Sequence, residues 1–152
     1  MVKAIPDGYH SLMMYLSLRD ASKAIEFYKA ALGATELYRL LMPGGKVAHA
    51  ELQVGNSRFM VADEMPEWGN KSAKGYGGTP VGLCIYTENI EALAERFVKA
   101  GGKQLKPLEN QFYGDRSGQF EDPEGYKWTL AQHIEDVSPE EMQRRMDKMM
   151  GG

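Results

Sequence analysis

Asp20-Ala21-Ser22-Lys23-Ala24-Ile25-Glu26-Phe27-Tyr28-Lys29-Ala30-Ala31-Leu32-Gly33 is the stretch that decides the fold, because its plan returns 69 residues later. Asp20 carries the short carboxylate of a helix N-cap, able to accept from the free amides of a first turn. Ala24, Ile25, Tyr28, Ala31 and Leu32 recur at helical spacing, and Gly33 supplies the stop. A shift of 69 positions lays Asp20 on Asn89, Glu26 on Glu95, Tyr28 on Phe97, Ala31 on Ala100 and Gly33 on Gly102. A cap, a charge, an aromatic anchor, a small residue and a helix stop coincide, which points to an internal duplication.

Outward from the first helix, residues 12–18 alternate as a strand, with Leu12, Met14, Leu16 and Leu18 on one face and Met13, Tyr15 and Ser17 on the other. Strands are predicted after the helix at 35–41, 47–54 and 58–62, separated by the turns Pro43-Gly44-Gly45 and Gly55-Asn56. Residues 64–80 are polar and glycine-rich, a linker or a lid over a site. The second copy then runs as a strand over 81–86, the helix from Asn89 to Gly101-Gly102, and strands at 103–108, 118–121 and 126–132. Ser138-Pro139-Glu140-Glu141 is a capping box that opens a last helix to about residue 150, with Met142, Met146, Met149 and Met150 on one stripe. That stripe either packs on its own chain or meets another subunit.

The whole chain, 1–152, is therefore expected to be a single α+β domain of two βαβββ modules: module one at about 10–64, a linker at about 65–79, module two at about 80–135, and a C-terminal helix at about 138–150. Hydrophobic residues at 43% and charged residues at 26% are ordinary for a soluble globular chain. The net charge of −3, the pI near 5.7 and the lack of any Lys/Arg run argue against a nucleic-acid partner and fit a neutral or cationic ligand. Cys84 is the only cysteine, so no intrachain disulfide forms, and no apolar stretch reaches membrane-spanning length. No secretory leader is evident at the N-terminus, so the expected location is cytoplasmic, without a membrane partner.

The order strand, helix and three strands, twice over, resembles the vicinal oxygen chelate superfamily, which includes glyoxalase I, bleomycin-resistance proteins and extradiol dioxygenases. Ala24-Ile25-Glu26-Phe27-Tyr28 with Leu32-Gly33 is similar to its first-helix signature, and Asp122-Pro123-Glu124-Gly125-Tyr126-Lys127-Trp128 to the turn and final strand of its second module. Three stretches resemble its PhnB-like branch: His49-Ala50-Glu51-Leu52, Phe112-Tyr113-Gly114-Asp115-Arg116 and Val137-Ser138-Pro139-Glu140-Glu141-Met142. The resemblance implies a curved mixed sheet around a pocket, with helices on the convex face, and paired modules in a homodimer.

In that plan the more apolar face of each strand meets the helices. Alternation then assigns Leu12, Met14, Leu16, Ala48, Ala50, Leu52, Phe59, Val61, Val81, Leu83, Ile85, Trp128 and Leu130 to the core. The pocket receives Met13, Tyr15, His49, Glu51, Met60, Gly82, Cys84, Tyr86 and Thr129, with Tyr113 and Arg116 in reach from the loop before the last hairpin. The resemblance implies metal ligands on the first and last strands of each module. In this chain those positions fall at or beside Met13, Met60, Gly82 and Thr129, none of them a usual ligand for a hard or borderline ion. No metal or other cofactor is therefore expected. A substitute site is conceivable from His49 and Glu51, about 7 Å apart along one strand face, joined by His10 or His133.

His49 beside Glu51 also suits metal-free general base chemistry, and equally a structural network with Arg58 or Arg116 as the partner of Glu51. Cys84 has no sequence neighbour that would activate it and reads as a small hydrophobe. Arg116 can clamp an anionic group or pair with Asp115 or Glu51. Tyr15, Tyr86 and Tyr113 with the two methionines describe an apolar, aromatic wall suited to an organic molecule with flat or cationic parts. Three functions follow as expectations. The chain sequesters a small organic molecule in a metal-free pocket, or it is an enzyme using His49 and Glu51 or a rearranged metal, or it is an interaction protein acting through its Met-rich helix.

Overall fold

The computed structural model describes residues Met1–Gly152. Module one comprises β1 (Met14–Leu18), α1 (Ala21–Leu32), β2 (Thr35–Leu41), β3 (Val47–Val54) and β4 (Ser57–Asp63). A 3₁₀ turn (Pro66–Trp68) and the short α2 (Ala73–Tyr76) follow. Module two repeats the plan with β5 (Gly82–Tyr86), α3 (Ile90–Lys99), β6 (Lys103–Asn110), β7 (Asp115–Glu121) and β8 (Lys127–His133), and α4 (Pro139–Met149) ends the chain. Each module forms its own four-stranded mixed sheet, ordered β1-β4-β3-β2 and β5-β8-β7-β6, with the first and last strands of the module parallel. No helix is long and apolar enough to cross a membrane.

The repeated caps behave as their chemistry dictates. Asp20 accepts from the Lys23 amide at 3.1 Å and Asn89 from the Ala92 amide at 3.1 Å. Gly33 closes α1 at φ 68°, a left-handed conformation costly for residues with a Cβ. The two aromatic anchors matched by the repeat, Tyr28 and Phe97, are both fully buried. α1 packs on α3, and Phe27 links the two anchors by contacting both Tyr28 and Phe97. Phe27 stands edge-on to Phe97 at 5.1 Å between ring centroids, and Phe97 in turn contacts Phe120. One apolar core of 24 residues therefore spans both modules on the helix side of the sheets.

A polar clasp fastens the same seam. Glu124 accepts the amides of Arg19 and Asp20 at the start of α1, at 2.7 and 3.0 Å. Its neighbour Asp122 accepts from the Tyr28 hydroxyl, the Trp128 indole and the amides of Glu124 and Tyr126, at 2.8 to 3.0 Å. The second module's turn is thus tied into the first module's helix through the Arg19 and Asp20 amides and the buried Tyr28 hydroxyl.

Three core assignments change. Leu12 and Val81 precede the first residues of β1 and β5 and are 89% and 58% exposed, because the strands start later than the alternation does. Ala48 yields its place to Val47, which is fully buried. The register of β2 against β3 shifts between Leu40 and Leu41, and such an irregularity moves the next side chain to the other face. The segment expected as a linker is partly ordered by α2, whose Ser72 cap is fully buried. Of the methionine stripe of α4 only Met142 is partly buried on its own chain. No residue of that helix is buried, and Met146, Met149 and Met150 are exposed. Arg145 anchors it instead, donating to the Phe112 carbonyl at 3.0 Å and pairing with Glu135 and Glu141.

Candidate functional site

The faces turned away from the helices carry the polar chemistry. In the first sheet, strand pairing sets Tyr15 opposite Met60, Met60 opposite Glu51, and Glu51 opposite Tyr38. These four positions make one row across β1, β4, β3 and β2. Glu51 is only 3% exposed, yet it has no Lys or Arg partner and accepts from no backbone amide. Its Oε1 accepts from the Tyr38 hydroxyl at 2.8 Å and from His49 Nε2 at 3.3 Å, and its Oε2 accepts from the Tyr9 hydroxyl.

The histidine tautomer follows from these partners. Ionised Glu51 can only accept, so Nε2 carries a proton, and in the neutral ring Nδ1 accepts from the Tyr15 hydroxyl, 2.9 Å away. A directed chain results: Tyr15 donates to His49, and His49 donates to Glu51. Burial pushes the Glu51 carboxyl up, but the hydrogen bonds from Tyr9, Tyr38 and His49 outweigh it and hold the group below its usual range. The bond to Glu51 takes the Tyr38 phenol up to about 12, and burial followed by the charge of Glu51 raises that of Tyr15. The phenols therefore remain proton donors at neutral pH. Tyr15 is half exposed and presents its oxygen to solvent.

A smaller counterpart lies on the second sheet. Asp115, also buried, accepts from the Tyr86 hydroxyl at 2.6 Å and pairs with His133 Nδ1 at 2.9 Å, while His133 Nε2 reaches Asp136 at 2.9 Å. Those two carboxylates raise the His133 pKa, Asp136 first. Cys84 and Thr129 face each other across β5 and β8 on the same side. Burial and then the charge of Asp115 push the Cys84 thiol up, which opposes nucleophilic use.

Of the residues singled out from the sequence, Tyr15, His49, Glu51 and Met60 come together. Cys84, Tyr86 and Thr129 share the second sheet, and Tyr113 turns its hydroxyl to Ser117 at 3.4 Å. Arg116 is not part of either group: it pairs with Glu91 of α3 and donates to Asn110. Neither Arg58 nor Arg116 is the partner of Glu51; Arg58 bonds Gln53 and the Asp7 carbonyl. His10 and His133 do not join His49 and Glu51. No group of three or more His, Cys, Asp or Glu side chains is placed to hold a metal ion, and Met13, Met60, Gly82 and Thr129 offer none of the donors such an ion would need. Tyr38 and Tyr9 were not foreseen. Opposite-strand register would have found Tyr38, whereas nothing in the irregular N-terminal segment marks Tyr9.

Two cavities lie nearby, and of the row's four residues only Tyr15 lines one of them. One of about 410 Å³ is walled by Tyr15, Ser17 and Tyr126 on one side and by Lys71, Tyr76 and Thr79 of the former linker on the other. A larger one, about 640 Å³, opens between the modules along Met13, Met14, Gly82, Cys84 and Trp128. Its lining is mostly apolar, with His10, Asn56, Ser57, Arg58 and Tyr86 as its polar side chains.

The sequence matches the family model described as the Glyoxalase/Bleomycin resistance protein/Dioxygenase superfamily over residues 10–130. It is 36% identical over 145 residues to the uncharacterized protein Rv0887c of Mycobacterium tuberculosis, covering 93% of this chain and 85% of that one. The X-ray structure of the Arabidopsis thaliana gene product At5g48480 superposes with a TM-score of 0.67 at 28% identity, over 81% of this chain and 98% of that chain. A Bacillus cereus PhnB protein, titled a putative 3-demethylubiquinone-9 3-methyltransferase, gives 0.63 at 18% identity over 81% and 99%, a likeness of fold alone.

Proposed function

Because this chain belongs to the glyoxalase/bleomycin resistance protein/dioxygenase superfamily, whose members share a scaffold and differ in chemistry, we propose that it binds a small organic molecule on the face of the first sheet around Glu51, without a resident metal. One observation carries the proposal. Glu51 is a buried carboxylate whose every donor is a side-chain ring from the open side of the sheet, so a ligand can exchange with those donors without unfolding anything. The aromatic surround of Tyr15, Tyr38 and His49 supports a flat ligand. His49 lies 5.4 and 5.8 Å from the two tyrosines, ring centre to ring centre.

Stoichiometric capture is the form favoured here, with the protein acting in the cytoplasm as its single cysteine supports. The chain Tyr15–His49–Glu51 favours a second form, in which Tyr15 relays a substrate proton to His49 and Glu51 stabilises the imidazolium that results. Capture gives saturation with no turnover, whereas the relay gives turnover lost in His49→Ala. We also propose a homodimer. The inner strands β1 and β5 each have an unpaired edge, and Leu12, Val81, Leu40 and Leu41 lie exposed. Sedimentation at micromolar concentration tests this, and a monomer there overturns it.

The binding proposal is tested by titrating chelator-treated protein with a panel of flat organic compounds, following tyrosine and tryptophan fluorescence, in wild type and Glu51→Gln. Compounds that bind wild type should lose at least about tenfold in affinity in the variant, because the amide lacks the charge that strengthens the carboxylate's bonds and presents N–H where a ligand donor needs an acceptor. Binding that ignores Glu51→Gln moves the site elsewhere.

A further inference from the structure

The first 13 residues form no strand or helix and bury none of their side chains. They nevertheless reach the first sheet and set one hydroxyl, that of Tyr9, on Glu51 Oε2. Little else holds this arm. Arg58 lies over the Tyr9 ring, 5.3 Å from its centre, and donates to the Asp7 carbonyl at 3.3 Å. Gly8 makes that approach possible: at φ +81° its missing Cβ would lie 2.5 Å from the Arg58 guanidinium carbon. Tyr9 is thus a phenol at the end of a short, otherwise solvated tether, seated on a carboxylate that has been taken out of water.

We propose that Tyr9 is an internal surrogate ligand: the arm is a displaceable plug, and the molecule that displaces it carries a phenolic hydroxyl that donates to Glu51 Oε2 with its ring under Arg58. The inference rests on the Glu51 face being the ligand site and adds to it a chemical class and a gate. The class follows from the two groups that bracket the Tyr9 ring. Glu51, ionised and without a Lys or Arg partner, repels carboxylates and phosphates and requires a donor. Arg58, over the ring face, opposes an ammonium ion and favours a neutral aromatic ring. A neutral phenol satisfies both, as Tyr9 does. A single hydroxyl donated to a carboxylate is also chemistry that needs no metal. The plug competes with the ligand, so the apparent affinity is the intrinsic affinity multiplied by the fraction of molecules with the arm open.

The test uses p-cresol as probe, with toluene and 4-methylbenzylamine as controls, against the full chain, Tyr9→Phe and Gly8→Ala. The Phe variant keeps the ring and loses the hydroxyl, while the Ala variant pushes the arm off Arg58. Both should bind p-cresol about tenfold more tightly than wild type, the factor for an arm closed in about nine-tenths of molecules. Toluene and the amine should bind no variant appreciably, and adding Glu51→Gln to Tyr9→Phe should remove the gain. In protein labelled with 3-fluorotyrosine, the ¹⁹F resonance missing from Tyr9→Phe should move toward the free-tyrosine position as p-cresol saturates. Equal p-cresol affinity in all three proteins, or a Tyr9 resonance that stays put at saturation, overturns the plug. If p-cresol binds nothing while compounds from the fluorescence panel still depend on Glu51, the phenol and plug inference fails and the site reading stands. If no compound depends on Glu51, both fail.

Discussion

Asp122 and Glu51 are both buried carboxylates, each 3% exposed, and each accepts from aromatic side chains. The difference lies in where their donors come from. Asp122 takes two backbone amides and the Trp128 indole from its own module and the Tyr28 hydroxyl from across the seam, all buried. Glu51 takes no backbone donor, and its three partners sit on the open side of the sheet. The electrostatics part in the same way. Burial lifts the Asp122 carboxyl above its usual range despite its hydrogen bonds, whereas at Glu51 the bonds win and the carboxyl is held low. A carboxylate fixed by backbone amides is part of the frame. One fixed only by exchangeable side-chain donors is free to change partners, and that is what ligand binding needs.

The sharpest way to break this comparison is to remove each carboxylate. Asp122→Ala strands four buried donors and should cost about 3–4 kcal/mol in urea unfolding, leaving whatever folds with ligand affinity intact. Glu51→Gln should cost far less stability and at least about tenfold in affinity. Equal stability losses would place Glu51 in the frame with Asp122. Next in size, Tyr15→Phe cuts the relay at its exposed end and should weaken binding about fivefold, the worth of one neutral hydrogen bond, with an unchanged melting temperature. Isothermal titration of the tightest panel compound checks it, and unaltered affinity would remove Tyr15 from the site.

Acid separates the two carboxyls by sign. Glu51 has a folded pKa below its ordinary 4.5, so its stabilisation is whole above that value and drains away as pH falls through the depressed one. Asp122 has a folded pKa above its ordinary 3.8, so its ionised form burdens the fold and acidification relieves that burden. Urea melts at a series of acid pH values should show the advantage of wild type over Glu51→Gln shrinking below about pH 4.5. A gap that widens on acidification contradicts the assignment. The smallest effect belongs to the terminal helix. Arg145→Ala frees α4 from Phe112 and Glu135, so amide exchange in residues 139–149 should speed up while the melting temperature moves by no more than about 2 °C.

The frame was legible in the sequence because it is written in local signals that repeat. The caps at Asp20 and Asn89, the stop at Gly33 and the paired anchors Tyr28 and Phe97 each announce themselves within one helical turn. Alternation along β3 put His49 and Glu51 on one face, and the structure joins them. It failed where the signal outran the strand, at Leu12 and Val81, and where the register shift exchanged Ala48 for Val47. The rest of the site depends on contacts that alternation cannot carry. Tyr38 reaches Glu51 through cross-strand register and Tyr9 through an arm with no periodicity. Arg116, legible only as a cation near a turn, is claimed by Glu91 on a helix distant in sequence.

The most direct measurement is the side-chain carboxyl ¹³C spectrum of protein labelled at Asp and Glu, titrated with the tightest-binding compound from the panel. Exchange of donors at Glu51 predicts that its resonance shifts with saturation while that of Asp122 stays fixed. A Glu51 resonance unmoved at full saturation, with shifts confined to other carboxyls, would contradict a ligand site on the first sheet.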